Sequence, residues 1–312
     1  MKDILATVSC LIMMASAGFP INPSFTPDAV AEYKARADAG DAEAQHLYSV
    51  ALTNGNGVAK DESLAWVYAK KAIDQGYERS LLRVGWGYEN GCGVTASAAK
   101  AAECYSRFLS WAKKAAVQGD ANAQALLALC YYKGTGVEQN ISEAVKWVRM
   151  AAGHGDVVAQ HNLGWCYENG DGVEEDPAEA VKWYRKAAEH GLARAQYHLG
   201  VCYYKGVGVS KDPAEAVKWW RKAAEQGNAG EQCILGVCYE NGLGVPKDSV
   251  EAVKWYRMSA EQGFARAQCN LGDCYKNGEG VEKNLSEAVK WYRKAANQGN
   301  EKSREALQRL GQ

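Results

Sequence analysis

What this chain lacks narrows the field first. It has no excess of charge: 36 Lys and Arg balance 37 Asp and Glu, for a formal net charge of −1. That balance gives no electrostatic ground for binding nucleic acid or an anionic membrane surface. It has no long apolar run. The longest, from Ile4 to Met14, is too short to span a bilayer. Only five histidines occur, His46, His154, His161, His190 and His198, and none stands at metal-ligand spacing. No Ser/His/Asp or Cys/His arrangement is visible, the Gly-x-Gly segments lack the Gly-Lys-Ser/Thr ending of a phosphate loop, and no strand pattern occurs anywhere. No metal, cofactor or catalytic residue is therefore expected, and 23% charged with 47% apolar residues is the composition of a folded protein.

What is present is repetition. The segment 156–191 returns almost verbatim at 192–227, 228–263 and 264–299. Trp111, Trp147, Trp183, Trp219, Trp255 and Trp291 stand 36 residues apart. A period of that length marks a solenoid, in which each unit buries its apolar face on the next. Each unit carries its own punctuation. Asp176-Pro177-Ala178-Glu179 and Asp212-Pro213-Ala214-Glu215 place an N-cap, a proline at the first helical position and an acid at the third. Asn140, Asp248 and Asn284, each followed three residues later by Glu, read as capping boxes. Gly155, Gly191, Gly227, Gly263 and Gly299 close the second helices. Every unit is helix–turn–helix.

The expected organisation follows. Residues 1–17 read as a secretory signal, with an apolar run and an Ala15-Ser16-Ala17 cleavage site, which would export the chain. Residues 18–27 are a proline-bearing spacer and 28–40 an N-terminal capping helix. Repeats occupy 41–76, 77–119, 120–155, 156–191, 192–227, 228–263 and 264–299, and 300–312 form a C-terminal cap. The second repeat carries seven extra residues, placed around Ala96 to Cys104, where two added helical turns return the same face.

The motif in which Ala193, Ala195, Gln196, Leu199, Gly200, Tyr203, Gly206, Gly208, Val209, Asp212, Ala216, Trp219, Lys222, Ala223, Ala224 and Gly227 stand resembles the Sel1-like repeat, a relative of the tetratricopeptide repeat. The resemblance covers 41–299. It implies an all-α fold, a right-handed α-solenoid of antiparallel helix pairs whose first helices line a concave face. It also implies an adaptor or scaffold role with a protein or peptide partner and no catalysis.

Comparison of the copies separates scaffold from surface. With the recurring Gln of the first helix (Gln124, Gln160, Gln196, Gln232, Gln268) as zero, the Leu at +3, Gly at +4, Cys at +6 and Tyr at +7 form one packing face. Positions +1, +5 and +8 vary and lie on one stripe, expected to face solvent. From these columns come the candidate partner contacts: Trp86, Tyr132, His161, Trp165, Glu168, Tyr197, Tyr204 and Glu240. Aromatics on an open face are typical binding anchors, and the acids would flank them. The tryptophan column of the second helices reads as core.

Cys130, Cys166, Cys202, Cys238 and Cys274 share one column. Neighbouring units place such residues about 9–10 Å apart, beyond the roughly 7 Å a disulfide tolerates. No disulfide is expected, with the pair Cys92 and Cys104 left open. Cysteine-rich members of the Sel1-like group carry a disulfide within each helix pair, which needs a second cysteine where this chain has Ala187-Ala188. A peptidoglycan-related or β-lactamase-like activity in the periplasm, implied through that subgroup, is the alternative reading. Ser97-Ala98-Ala99-Lys100 and Ser110-Trp111-Ala112-Lys113 match Ser-x-x-Lys but lack the accompanying motifs.

Overall fold

A computed structural model describes residues 25–311. The signal expected at 1–17, and most of the spacer, lie outside the described residues. Among those residues the chain forms sixteen α-helices and no strand, an α-solenoid of helix pairs. It divides into two compact units, one ending at Glu174 and the other beginning at Glu175.

The first unit contains α1 (Pro27–Asp38), α2 (Ala42–Asn54), α3 (Glu62–Asp74), a 3-10 turn (Glu78–Ser80), α4 (Leu81–Asn90), α5 (Ala98–Val117), α6 (Ala121–Lys133), α7 (Ile141–Gly153) and α8 (Val157–Asn169). The second contains α9 (Pro177–Glu189), α10 (Ala193–Lys205), α11 (Pro213–Glu225), α12 (Ala229–Asn241), α13 (Ser249–Glu261), α14 (Ala265–Asn277), α15 (Leu285–Asn297) and α16 (Glu301–Arg309).

The caps work differently from the box expected. The N-cap side chains of Asn140, Asp212, Asp248 and Asn284 do accept from the amide three residues on, at 2.9–3.0 Å. The Glu at that third position does not reach back. In α7, α9, α11, α13 and α15 it pairs with the Lys one turn ahead, at 2.6–2.8 Å. The N-cap amide needs no such partner, because it donates to a tyrosine carbonyl in the preceding first helix. Asp248 donates to Tyr239 O at 2.9 Å, and Asn284 to Tyr275 O at 2.8 Å. In α7, α11, α13 and α15 the bond welds the start of the second helix to the end of the first.

The recurring leucines Leu127, Leu163, Leu199, Leu235 and Leu271 are fully buried, each contributing about 2 kcal/mol. The glycines at +4 have a definite reason. A Cβ at Gly236 would sit 2.5 Å from the ring of Tyr256, and one at Gly272 would sit 2.7 Å from that of Tyr292. The deepest aromatic of the second helix is thus the residue after the tryptophan. Tyr184, Tyr256 and Tyr292 are fully buried, whereas Trp147, Trp183 and Trp291 are only half-buried. Lys186, Lys222 and Lys294 lie over the tryptophan one turn before them, 4.0–4.1 Å from the ring centroid.

The longer second repeat is in register at its start. Ser97 caps α5 by accepting from Lys100 N at 3.4 Å, and Tyr105 packs on Gly85 as Tyr256 does on Gly236. The extra residues therefore follow Tyr105, at the far end of the 20-residue α5, not at 96–104. The bulk of Phe108 and Leu109, both buried, fills the added turns. The cysteine column is buried, and no disulfide joins the nine described cysteines, Cys92 and Cys104 included.

Candidate functional site

The recurring Gln of each first helix explains how successive repeats lock together. In the first unit Gln45 donates to Ala37 O at 3.2 Å and Gln124 to Ala116 O at 2.8 Å, a second donor for last-turn carbonyls that also accept from Gly40 N and Gly119 N. The same side chains accept from Gln75 at 2.8 Å and contact His154 at 3.0 Å. With zero occupied by these bonds, the turns at +1, +5 and +8 are carried round to one side.

On that side the first unit has a groove of about 380 Å³. Helix α2 supplies His46, Val50 and Thr53; helix α4 supplies Leu82, Trp86 and Glu89. These are the +1, +5 and +8 positions of their repeats. Helix α6 adds Leu126, Leu129, Cys130 and Lys133, and Lys60, Glu62, Arg79, Arg83 and Tyr105 complete the wall. Burial pushes the Cys130 thiol up to about 12, so at neutral pH it is a small apolar side chain.

The charges divide into paired and unpaired. Lys60 and Glu62 form an ion pair at 2.7 Å, and Lys60 holds the Glu62 carboxyl below its usual range. Arg79 pairs with Asp120 at 2.5 Å. Glu89 accepts from the Tyr105 hydroxyl at 2.7 Å. Arg83 lies over the Trp86 ring, 4.6 Å from its centroid. It makes one long bond, to Glu62 O at 3.4 Å, while its buried Nε has no partner among the described residues. Burial pushes the Arg83 guanidinium below its ordinary range, with Glu62 opposing. Lys133 has no ion pair among the described residues.

The expected contact residues fall in different places. Trp86 lines the groove. Tyr132, Trp165 and Glu168 are half-buried in the first unit. His161 is 3% exposed, which corrects its assignment to an open face. In the second unit the +1 cysteines are covered because each first helix packs against the next. Cys233 belongs to a core with Ala267 and Leu271 of α14, and Cys269 to one that Ala306 and Leu307 of α16 pack against. Exposure rises along the stripe, and +8 is its open end. In the second unit Tyr197 is half-buried, and its carbonyl accepts from Trp220 Nε1 at 3.1 Å. Tyr204 is 37% exposed, its ring 5.6 Å from that of Trp220. Glu240 accepts from Tyr256 at 2.8 Å and is engaged within the fold.

Two features were not found from the sequence. Arg83 stands at +2, a column that also varies (Leu47, Arg83, Leu126, Asn162, His198, Ile234, Asn270), and that variation was the available signal. His46 Nδ1 lies 2.8 Å from Ser80 Oγ. The geometry is that of a Ser–His pair, but Ser80 is fully buried and burial depresses His46 to about 3. A general base is most effective with a pKa near the working pH, so this pair serves as a buried hydrogen bond. Ser97, the first residue of one Ser-x-x-Lys match, is occupied as the α5 cap.

Short antiparallel helices, welded first to second and stacked by buried glutamines, define a tandem-repeat protein of the α-solenoid class. The Sel1 repeat family matches residues 42–77, 79–108, 121–156, 157–192, 193–228, 232–264 and 265–300, and the chain belongs to that family. It is similar to c5321, described as a protective antigen present in uropathogenic Escherichia coli strains and displaying an SLR fold. The two share 36% identity over 90% of this chain with a TM-score of 0.68, and the match spans 59% of that protein's length. It is also similar to a Sel1 repeat protein from Oxalobacter formigenes, at 31% identity over 91% of this chain and 80% of the other, with a TM-score of 0.66. No curated protein matches the chain.

Proposed function

We propose that this chain is a non-catalytic interaction module that holds a short segment of a partner protein in the groove of its first unit. The observation that carries the reading is the convergence of residues from the variable columns +1, +2, +5 and +8 on one cavity around Trp86. Residues that only pack can recur from copy to copy, as Leu and Gly do here. Many of those lining the groove come instead from the variable +1, +2, +5 and +8 columns, and they pair a half-buried tryptophan with an apolar floor and two cations that have no acidic partner among the described residues. Deep aromatic and arginine anchors with an apolar surround are the usual makings of a binding hot spot. Tyr204, the most open of the expected aromatics, is a secondary contact by the same logic. The acidic flank expected from the sequence has less support, since Glu240 is engaged by Tyr256. A leader at 1–17 would place this activity outside the cytoplasm, and N-terminal sequencing of the mature protein reads that directly.

Cross-linking in the cells that make the protein, followed by mass spectrometry, tests the interaction reading. Partners recovered with the native chain should be lost with Trp86→Ala and reduced with Tyr204→Ala, both variants melting as cooperatively as the parent. An unchanged partner set sinks it. A β-lactamase-like activity has little to support it, since Ser97 is occupied as the α5 cap and Ser110, though exposed, lacks the accompanying motifs, and a nitrocefin assay on purified protein should stay blank.

A further inference from the structure

We infer that the first-unit groove is selective for an acidic segment of its partner, with an Asp or Glu side chain seated at Arg83 and an adjoining apolar residue on Trp86 and Leu129. The inference rests on the interaction reading above and names the chemistry of its ligand.

Three observations lead to it. First, both acids of the groove are engaged within the fold, whereas two of its four cations are not. Glu62 is neutralised by Lys60 and Glu89 accepts from Tyr105, while Arg83 and Lys133 carry charge without an acidic partner within ion-pair distance among the described residues. An incoming acid meets net positive charge, and an incoming base meets none that is free to receive it. Second, Arg83 is underused. A guanidinium has five donors in a planar fork, and here it makes a single 3.4 Å bond to a backbone carbonyl while Nε is buried without a partner. Such a group carries the cost of burial without its return, and a carboxylate, which accepts from the fork in bidentate fashion, supplies that return. Third, Arg83 is held in place. Its side chain is packed over the Trp86 ring, so little rotamer freedom remains to be lost when a carboxylate arrives.

A side-chain carboxylate is the source we commit to. The groove, of about 380 Å³ and lined from three helices, has room for two or three residues of an extended chain. An internal acidic residue can reach Arg83 while the backbone continues past the rim.

The test uses the full chain and fluorescent, N-acetylated, C-amidated peptides of about seven residues, followed by polarisation. One peptide alternates Leu with Glu, a second replaces each Glu by Gln, a third by Lys, and a fourth has the Gln sequence with a free C-terminal carboxylate. The acidic peptide should bind at least tenfold more tightly than the others, and its affinity should fall as salt rises. Arg83→Gln should weaken it at least tenfold, Arg83→Lys less, and the exposed Lys133→Glu at least threefold. Lys133→Glu decides the matter if Arg83→Gln does not fold. Equal binding of the Glu and Gln peptides, preference for the free C-terminus, or indifference to both substitutions overturns the proposal. If no peptide binds while cross-linked partners still depend on Trp86, the acidic specificity falls and the interaction reading stands. If the partners are indifferent to Trp86 as well, both fall.

Discussion

The hydroxyl of Tyr256 on α13 donates to the carboxylate of Glu240 on α12 at 2.8 Å. The ring below that hydroxyl lies against Gly236, so one side chain fills the seam and ties off its polar rim. Burial, with Glu240 second, raises the tyrosine pKa well above its usual range, so the phenol remains a donor. A hydrogen bond to a charged acceptor is worth about 1.5 kcal/mol where water still reaches one partner. Tyr256→Phe and Glu240→Gln should each cost about 1 kcal/mol in urea denaturation. The double variant should cost clearly less than their sum, because both remove the same bond. Additive losses would mean that Glu240 acts independently of the tyrosine.

Gly236 and Gly230 should respond to alanine with opposite signs. At Gly236 the new methyl would meet the Tyr256 ring at 2.5 Å, and a buried ring cannot retreat as a flexible chain end can. Gly236→Ala should cost about 2–3 kcal/mol. At Gly230, on the same helix, a Cβ meets nothing within 4 Å. Gly230→Ala should stabilise by up to about 1 kcal/mol through helix propensity. Thermal melts of the two variants suffice, and a stabilised Gly236→Ala would refute the close-packing account.

The split between what sequence showed and what it hid has a physical basis. Period, caps and cysteine burial were legible because each depends on spacing along one helix. Ser97 in place of the usual Asp hid the fact that α5 starts in register, so the seven added residues were set at the wrong end. His161 was misplaced because a single helical wheel has no term for what packs around the helix; at Cys233 and Cys269 the following first helix covers the same column. Arg83 was overlooked because a cation at +2 looks like a solvated surface residue until Trp86 and Glu62 are seen around it.

His198 should make the protein acid-sensitive. Its ring is stacked on Tyr184, with centroids 5.1 Å apart, and burial, helped by Arg194, lowers its pKa from 6.5 to about 4. A folded-state pKa below the unfolded value means that the unfolded chain takes up the proton first. Stability is therefore intact above pH 6.5 and falls as the pH drops from 6.5 toward 4. At pH 5 the loss from this residue is about 2 kcal/mol. His46, depressed to about 3, adds a loss of the same sign. Denaturation at pH 7.5 and pH 5 should show His198→Phe losing less than the parent between the two. A parallel loss would remove His198 from the account.

The glutamine at zero should be the most costly single polar side chain to remove. Gln268 donates to Ala260 O at 3.1 Å and accepts from Gln298 at 2.9 Å, joining α13, α14 and α15 at one buried point. Gln268→Leu keeps the volume but removes both bonds of the amide: Ala260 O keeps Gly263 N, at 3.0 Å, and loses its side-chain donor, and Gln298 loses its acceptor. Two hydrogen bonds at about 1 kcal/mol each put the loss near 2 kcal/mol. Gln298→Ala should cost about half as much, because Gln298 is exposed and water can replace it. The damage should also be local, since a repeat array is stabilised through neighbouring contacts. Hydrogen exchange should quicken in α13 to α15 and stay unchanged in α10 and α11. Uniform quickening across the second unit would mean that it unfolds as one cooperative block, and the glutamine would then report on global rather than local stability.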